Sequence, residues 1–142
     1  MKKLIACILL LMGSLSAQFA SSVPYGNGCR GAILKIDAPK IGTKIFATLP
    51  NLHKGSFGAV LLGISLIQQN HSMGNGCSLL IYPMWDWVHN IPHTHRGPNG
   101  IYMGRIIDDP GLIGLVFFIQ AVYQDEDLLP SWTNGVKCTV GI

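Results

Sequence analysis

Leu115-Val116-Phe117-Phe118-Ile119-Gln120-Ala121-Val122-Tyr123 is the run whose reading decides the fold. Over so short a stretch, periodicity alone does not separate a buried helix from a buried strand. Its β-branched and aromatic content, with Gly111 and Gly114 just upstream, makes it a strand. Working outward, Gly135 to Ile142 alternates and closes the chain, and Gly100 to Ile106 alternates before it. Further upstream lie Ser78 to Tyr82, closed by Pro83, and the continuous apolar run Ala59 to Leu66, expected to be central and covered on both faces. Lys44 to Leu49 stops at Pro50, and Ala32 to Asp37 stops at Ala38-Pro39. Short strands punctuated by turn residues, in a chain with 17 Gly and 8 Pro, predict an antiparallel β-sandwich. About seven to eight strands are expected, in a Greek-key or jelly-roll-like order. Helical crossovers are missing, which disfavours a parallel sheet.

The first 20 residues read differently. Lys2 and Lys3 precede the apolar run Leu4 to Met12, and small residues follow at Gly13, Ser14, Ser16, Ala17 and Ala20. That pattern predicts a signal peptide over 1–20, with cleavage after Ala17 or Ala20, and a single domain over 21–142. The apolar run is too short to span a bilayer, so no integral membrane segment is expected in the mature chain. The ten Lys and Arg lose Lys2 and Lys3 to the signal, leaving eight against seven Asp and Glu. A nearly neutral surface gives no electrostatic case for nucleic acid.

Gly-Asn-Gly-Cys occurs twice, at Gly26 to Cys29 and at Gly74 to Cys77. With Cys7 in the signal, three thiols remain for an oxidising compartment, which predicts one bridge and one leftover. The shared context favours Cys29–Cys77 as the disulfide, joining two glycine-turned strand entrances. Cys138 alternates with Val136 and Val140 and is expected to be a buried, inert thiol.

A family resemblance rests on an ordered series of short motifs. They are Gly28-Cys29; Pro39, Gly42 and Phe46; Leu61-Leu62-Gly63-Ile64-Ser65; and Gly76-Cys77-Ser78-Leu79. Next come Ile106 with Asp109-Pro110-Gly111-Leu112-Ile113-Gly114, then Phe118 with Gln120-Ala121, and Thr133-Asn134-Gly135. Together they resemble a short Gly-rich, Cys-containing domain, often C-terminal, of secreted planctomycete-like bacterial proteins. The resemblance implies a small extracellular β-domain and supplies no catalytic residues. The sequence departs from the pattern at Cys138 and over Trp85 to Arg96, which is richer in Trp and His.

Candidate sites concentrate in that departure. His89, His93 and His95, beside Asp86, carry donors that suit Zn²⁺ or Cu²⁺, and His93 and His95 share a face if the segment is extended. Trp85 and Trp87, with Tyr82 nearby, form an alternative stacking surface for sugar rings. Asp125-Glu126-Asp127 lacks the spacing of a calcium loop and reads as a turn. Asn70-His71-Ser72 fits a glycosylation sequon. Ser65 and Ser56 lack the setting of a nucleophile.

The expectation is a structural or interaction module without catalytic activity or cofactor, secreted or held at the cell surface or periplasm. Its partner would be an extracellular glycan or surface protein. The alternatives are a carbohydrate-binding module using Trp85 and Trp87, and a metal-binding or metal-dependent protein using the His cluster.

Overall fold

The computed structural model describes residues 18–50, 60–82, 89–91, 101–124 and 128–142, with 89–91 given by their backbone. Among the described residues there are eleven strands: β1 (Ser21–Tyr25), β2 (Lys35–Ile36), β3 (Lys44–Thr48), β4 (Val60–Ser65), β5 (Gln68–Gly74), β6 (Cys77–Ile81), β7 (His89–Ile91), β8 (Ile101–Arg105), β9 (Val116–Gln124), β10 (Pro130–Trp132) and β11 (Gly135–Thr139). A six-stranded sheet runs β1-β11-β9-β4-β7, with β10 also on β9. A three-stranded sheet runs β2-β3-β8, and β5-β6 form a hairpin. Every strand pairing is antiparallel. The all-β class expected from the sequence is therefore the observed one.

The main core lies between the larger two sheets. Ile36, Ile45, Ala47 and Ile101 of the three-stranded sheet pack against Val60, Leu62, Phe117, Ile119, Ala121, Val136 and Cys138 of the six-stranded sheet. The β5-β6 hairpin covers the opposite face of β9. This explains why Val116 to Tyr123 is apolar at all but Gln120, where alternation would be expected for a half-exposed strand. Phe117, Ile119, Ala121 and Tyr123 face the main core. Phe118 meets the Tyr25 ring edge-on, with centroids 5.8 Å apart, and Gln120 reaches β6. In β4, expected to be covered on both faces, Val60 and Leu62 are buried but Leu61 is exposed.

Four strands lie outside the seven runs read from the sequence, each for a physical reason. β5 is almost wholly exposed and polar, so no hydrophobic pattern announces it. It exists because Asn75 and Gly76, with φ of 52° and 75°, close a two-residue hairpin onto Cys77. β7 and β10 are three residues each, too short for a pattern, and β1 is an edge strand carrying Pro24. The two GNGC copies therefore differ: the second turns a hairpin into β6, whereas Cys29 lies in the loop between β1 and β2 and opens no strand. Asp109-Pro110-Gly111 starts a 3-10 turn over Pro110–Leu112, in which Asp109 accepts from the Gly111 amide. Among the described residues no helix is long and apolar enough to cross a membrane.

Side chains bind the layers together. The Cys29–Cys77 disulfide joins the β1–β2 loop to the hairpin. Gln120 occupies the free edge of β6: its Oε1 accepts the Leu80 amide at 2.8 Å, and its Nε2 donates to the carbonyls of Ser78 and Thr133. Asn134 does the same for the segment leading into β2, accepting the Leu34 amide and donating to the Leu34 carbonyl. Each amide replaces a missing strand neighbour and satisfies backbone groups that would otherwise be buried unpaired.

Candidate functional site

The sandwich has two ends of different character. The end holding Asn134, Gln120 and the disulfide is pinned. At the other end the two sheets part around a cavity of about 410 Å³, within the range of roughly 300–1,000 Å³ usual for small-ligand pockets.

The chamber is built from five separate parts of the chain. Its floor is the end of the main core: Ile45 of β3, Phe117 and Ile119 of β9, and Val140. Ile64 of β4, Met103 of β8, Ile106 and Leu112 of the 3-10 turn form half-buried walls. Leu66 and Leu115 stand at the mouth, 58% and 43% exposed. Ile67, 59% exposed, extends this apolar rim along the β4-β5 turn. Aliphatic side chains left in water at the mouth of an aliphatic cavity mark a surface that gains free energy when covered.

Local irregularity in β8 shapes the opening. The β3-β8 register shifts between Ile45 and Phe46. Gly104, at φ 147°, sits opposite Ile45, and a Cβ there would meet nothing within 4 Å. A bulge at a sheet rim re-aims the side chains beside it. Here it leaves the wall thin at Gly104; among the described residues Arg105 is the one charged residue along the lining.

Two cations pair across the outer face of the three-stranded sheet near this end. Arg105 lies directly across the ladder from Lys44, and both are exposed. The Arg105 Nε donates to the Gly42 carbonyl at 2.9 Å, which anchors the guanidinium from one side. Lys44 Nζ stands 6.0 Å from the Tyr102 ring centroid. Asp108 approaches Gly42 but makes no ion pair with Arg105. Ser65 Oγ is spent locally on the amide and carbonyl of Ile67. It has no histidine partner among the described residues.

A larger cleft, about 710 Å³, lies between β1 and the segment leading into β2. Two of its polar side chains are committed: Asn134 holds Leu34, and Ser22 donates to the Ile36 carbonyl at 2.6 Å. Its remaining lining mixes three glycines with Asn27, Lys35 and apolar residues such as Ile33 and Val136. The smaller chamber is the better formed apolar site.

Of the residues expected from the sequence, Cys29 and Cys77 are bridged, and Cys138 is free and buried, its thiol pushed up to about 12 by burial. Trp85, Asp86, Trp87, His93, His95, Ser56 and Asp125-Glu126-Asp127 lie outside the described residues. His89 opens β7, pairing by backbone with Leu62. Among the described residues no group of three or more His, Cys, Asp or Glu could hold a metal ion. Tyr82 is exposed after β6, and the Asn70 sequon lies on exposed β5. Sequence reading passed over the chamber because its residues look like ordinary core. It also passed over Phe46 and Tyr102, whose rings meet at 5.7 Å on the outer face of the three-stranded sheet.

No family model, no curated protein and no solved structure matches the chain.

Proposed function

We propose that the protein is an exported, non-catalytic binding module that takes a small apolar ligand into the chamber between its sheets. The observation carrying this reading is the cavity itself: an apolar space in the small-ligand range, floored by core residues and opening through an exposed aliphatic rim. Export is supported by the Lys2-Lys3 and Leu4 to Met12 pattern and by the disulfide, which persists in oxidising compartments. The short-motif resemblance to secreted planctomycete-like domains points the same way.

The test is to fill the chamber. Leu112→Phe and Met103→Phe enlarge two half-buried wall residues on peripheral elements. Native protein should bind anilinonaphthalene sulfonate saturably at one site, and each variant, once shown to melt cooperatively, should lose that binding. Absence of saturable binding to native protein, or equal binding by both folded variants, overturns the reading.

A second reading, a glycan contact surface, draws support from the Phe46–Tyr102 pair, with Tyr102 53% exposed. It requires Tyr102→Ala to abolish binding on a glycan array, and an unchanged profile rejects it.

A further inference from the structure

We infer that Asn75 is a self-modification site, whose side-chain amide converts spontaneously to aspartate and isoaspartate through a cyclic imide closed by the Gly76 amide nitrogen. This goes beyond the chamber reading and does not rest on it. Asn-Gly occurs four times, at Asn27, Asn75, Asn99 and Asn134, and Asn99-Gly100 lies outside the described residues. A following glycine carries no side chain to shield the attacking nitrogen, so the pairs share one intrinsic chemistry. The fold treats the other three differently.

Asn75 stands exposed at the tip of the β5-β6 hairpin, with φ of 52°. Gly76 is exposed too, and a Cβ there would meet nothing within 4 Å. Among the described residues none hydrogen-bonds the Asn75 side-chain amide. Asn134 is the opposite case. It is buried, its Oδ1 accepts the Leu34 amide at 2.8 Å, and its Nδ2 donates to the carbonyls of Leu34 and Gly135. Asn27 falls between them. It shares Gly-Asn-Gly-Cys with Asn75, so local sequence does not separate the two. Its side chain is exposed, but Gly28 is half-buried, and a Cβ there would overlap the Ala32 carbonyl oxygen. Cys29, the next residue, gives its amide to the Trp132 carbonyl at 2.8 Å. The nucleophile after Asn27 is therefore clamped, whereas the one after Asn75 is free to turn.

In the reaction the Gly76 nitrogen bonds to the Asn75 side-chain carbonyl carbon. The bond from that carbon to Nδ2 breaks, and ammonia leaves with the proton from the Gly76 amide. Water then opens the ring at either carbonyl, giving a carboxylate in both products. The isoaspartyl product threads the backbone through the former side chain and adds one methylene to the two-residue turn. β6 stays anchored meanwhile by the Cys29–Cys77 bridge and by Gln120.

Peptide mapping by mass spectrometry after incubation at pH 8 reads the three sites in one sample. Each native rate is divided by the rate of the same residue in urea and reductant. Asn75 should convert within about threefold of its unfolded rate, because an exposed hairpin tip opens at little cost. Asn27 should be slowed about tenfold, and Asn134 about a hundredfold, since three hydrogen bonds must open first. A native Asn75 slowed about tenfold or more, or slowed as much as Asn27, overturns the assignment. So does an Asn134 that keeps pace with its unfolded rate.

Discussion

Gln120→Met would remove one amide and little volume, and its cost can be worked out group by group. Three backbone groups lose their partner at once: the Leu80 amide and the Thr133 carbonyl, both buried, and the half-buried Ser78 carbonyl. Leaving a buried backbone group unpaired costs about 1–3 kcal/mol, and less where water can enter, so the three together cost about 3–5 kcal/mol. The methionine thioether recovers some of this by packing near Phe118. In urea, with a slope of about 2 kcal/mol per molar for a domain of this size, the midpoint should fall by about 2 M. Equilibrium unfolding followed by tryptophan fluorescence measures it directly. Gln120→Glu sharpens the test through its pH dependence. A carboxylate there would accept from Leu80 but face two carbonyl oxygens, so burial and those oxygens raise its folded pKa above the ordinary value of about 4.3. Its stability contribution is therefore fully present below that value and lost as pH rises through the folded pKa. A Gln120→Met midpoint within about 0.3 M of native would refute the view that this amide substitutes for a strand edge.

Further expectations concern the bridge, the loop and the buried thiol. Cys29→Ser opens a ring whose ends are 48 residues apart, and on the chain-entropy model this lowers stability by about 4 kcal/mol; native protein unfolded in reductant should match the variant. Gly28→Ala places a Cβ 2.0 Å from the Ala32 carbonyl oxygen and 2.9 Å from the Asn134 amide, backbone that cannot yield, and should cost about 3 kcal/mol in a urea titration. Gly31→Ala, at φ 74° with open space around it, should cost only about 1 kcal/mol, from backbone strain alone. Burial pushes the Cys138 thiol and the Tyr25 hydroxyl up to about 12 from 9.0 and 10.0. Both groups therefore favour folding below their unfolded values, and that contribution drains away between pH 9 and about 12. Cys138→Ala should delay the onset of alkaline unfolding by about one pH unit, and an unmoved onset would exclude the thiol as its cause. In the folded native protein, Cys138 should resist maleimide at pH 8.

What was legible from the sequence followed from local chemistry. Lys44 to Leu49 and Gly135 to Ile142 alternate because one face of each meets the core, and they fold as β3 and β11. Leu115 to Tyr123 was legible by its branched and aromatic side chains, although its double covering depends on a hairpin that left no hydrophobic trace. The pairing of Cys29 with Cys77 was legible from shared context. The hairpin itself carried one clear mark, Asn75-Gly76, but the polar run Gln68 to His71 offered no strand pattern to pair with it. The chamber was illegible for a different reason. Ile45, Ile64, Met103 and Leu112 are what any core contains, and only the three-dimensional splay of two sheets leaves space between them. Gly100 to Ile106 read as an alternating strand, but the irregularity at Gly104 and the placing of Arg105 opposite Lys44 depend on the pairing with β3.

The placement of stabilising devices explains why space remains at one end of the sandwich and not the other. β9 crosses the whole molecule. Its later half, from Gln120 to Tyr123, lies beside Thr133, Trp132 and Cys29, where two side-chain amides and a disulfide draw three layers together. Its earlier half, from Val116 to Ile119, faces the three-stranded sheet across apolar residues, among them Ile45 and Met103, with Ile106 and Leu112 beside them. Hydrophobic contact has no direction and tolerates a gap, whereas a short hydrogen bond from Asn134 to Leu34 does not. Sheets twisted in the same hand and clamped at one end separate toward the other. The amide bonds and the disulfide therefore stand remote from the opening at Leu66 and Leu115.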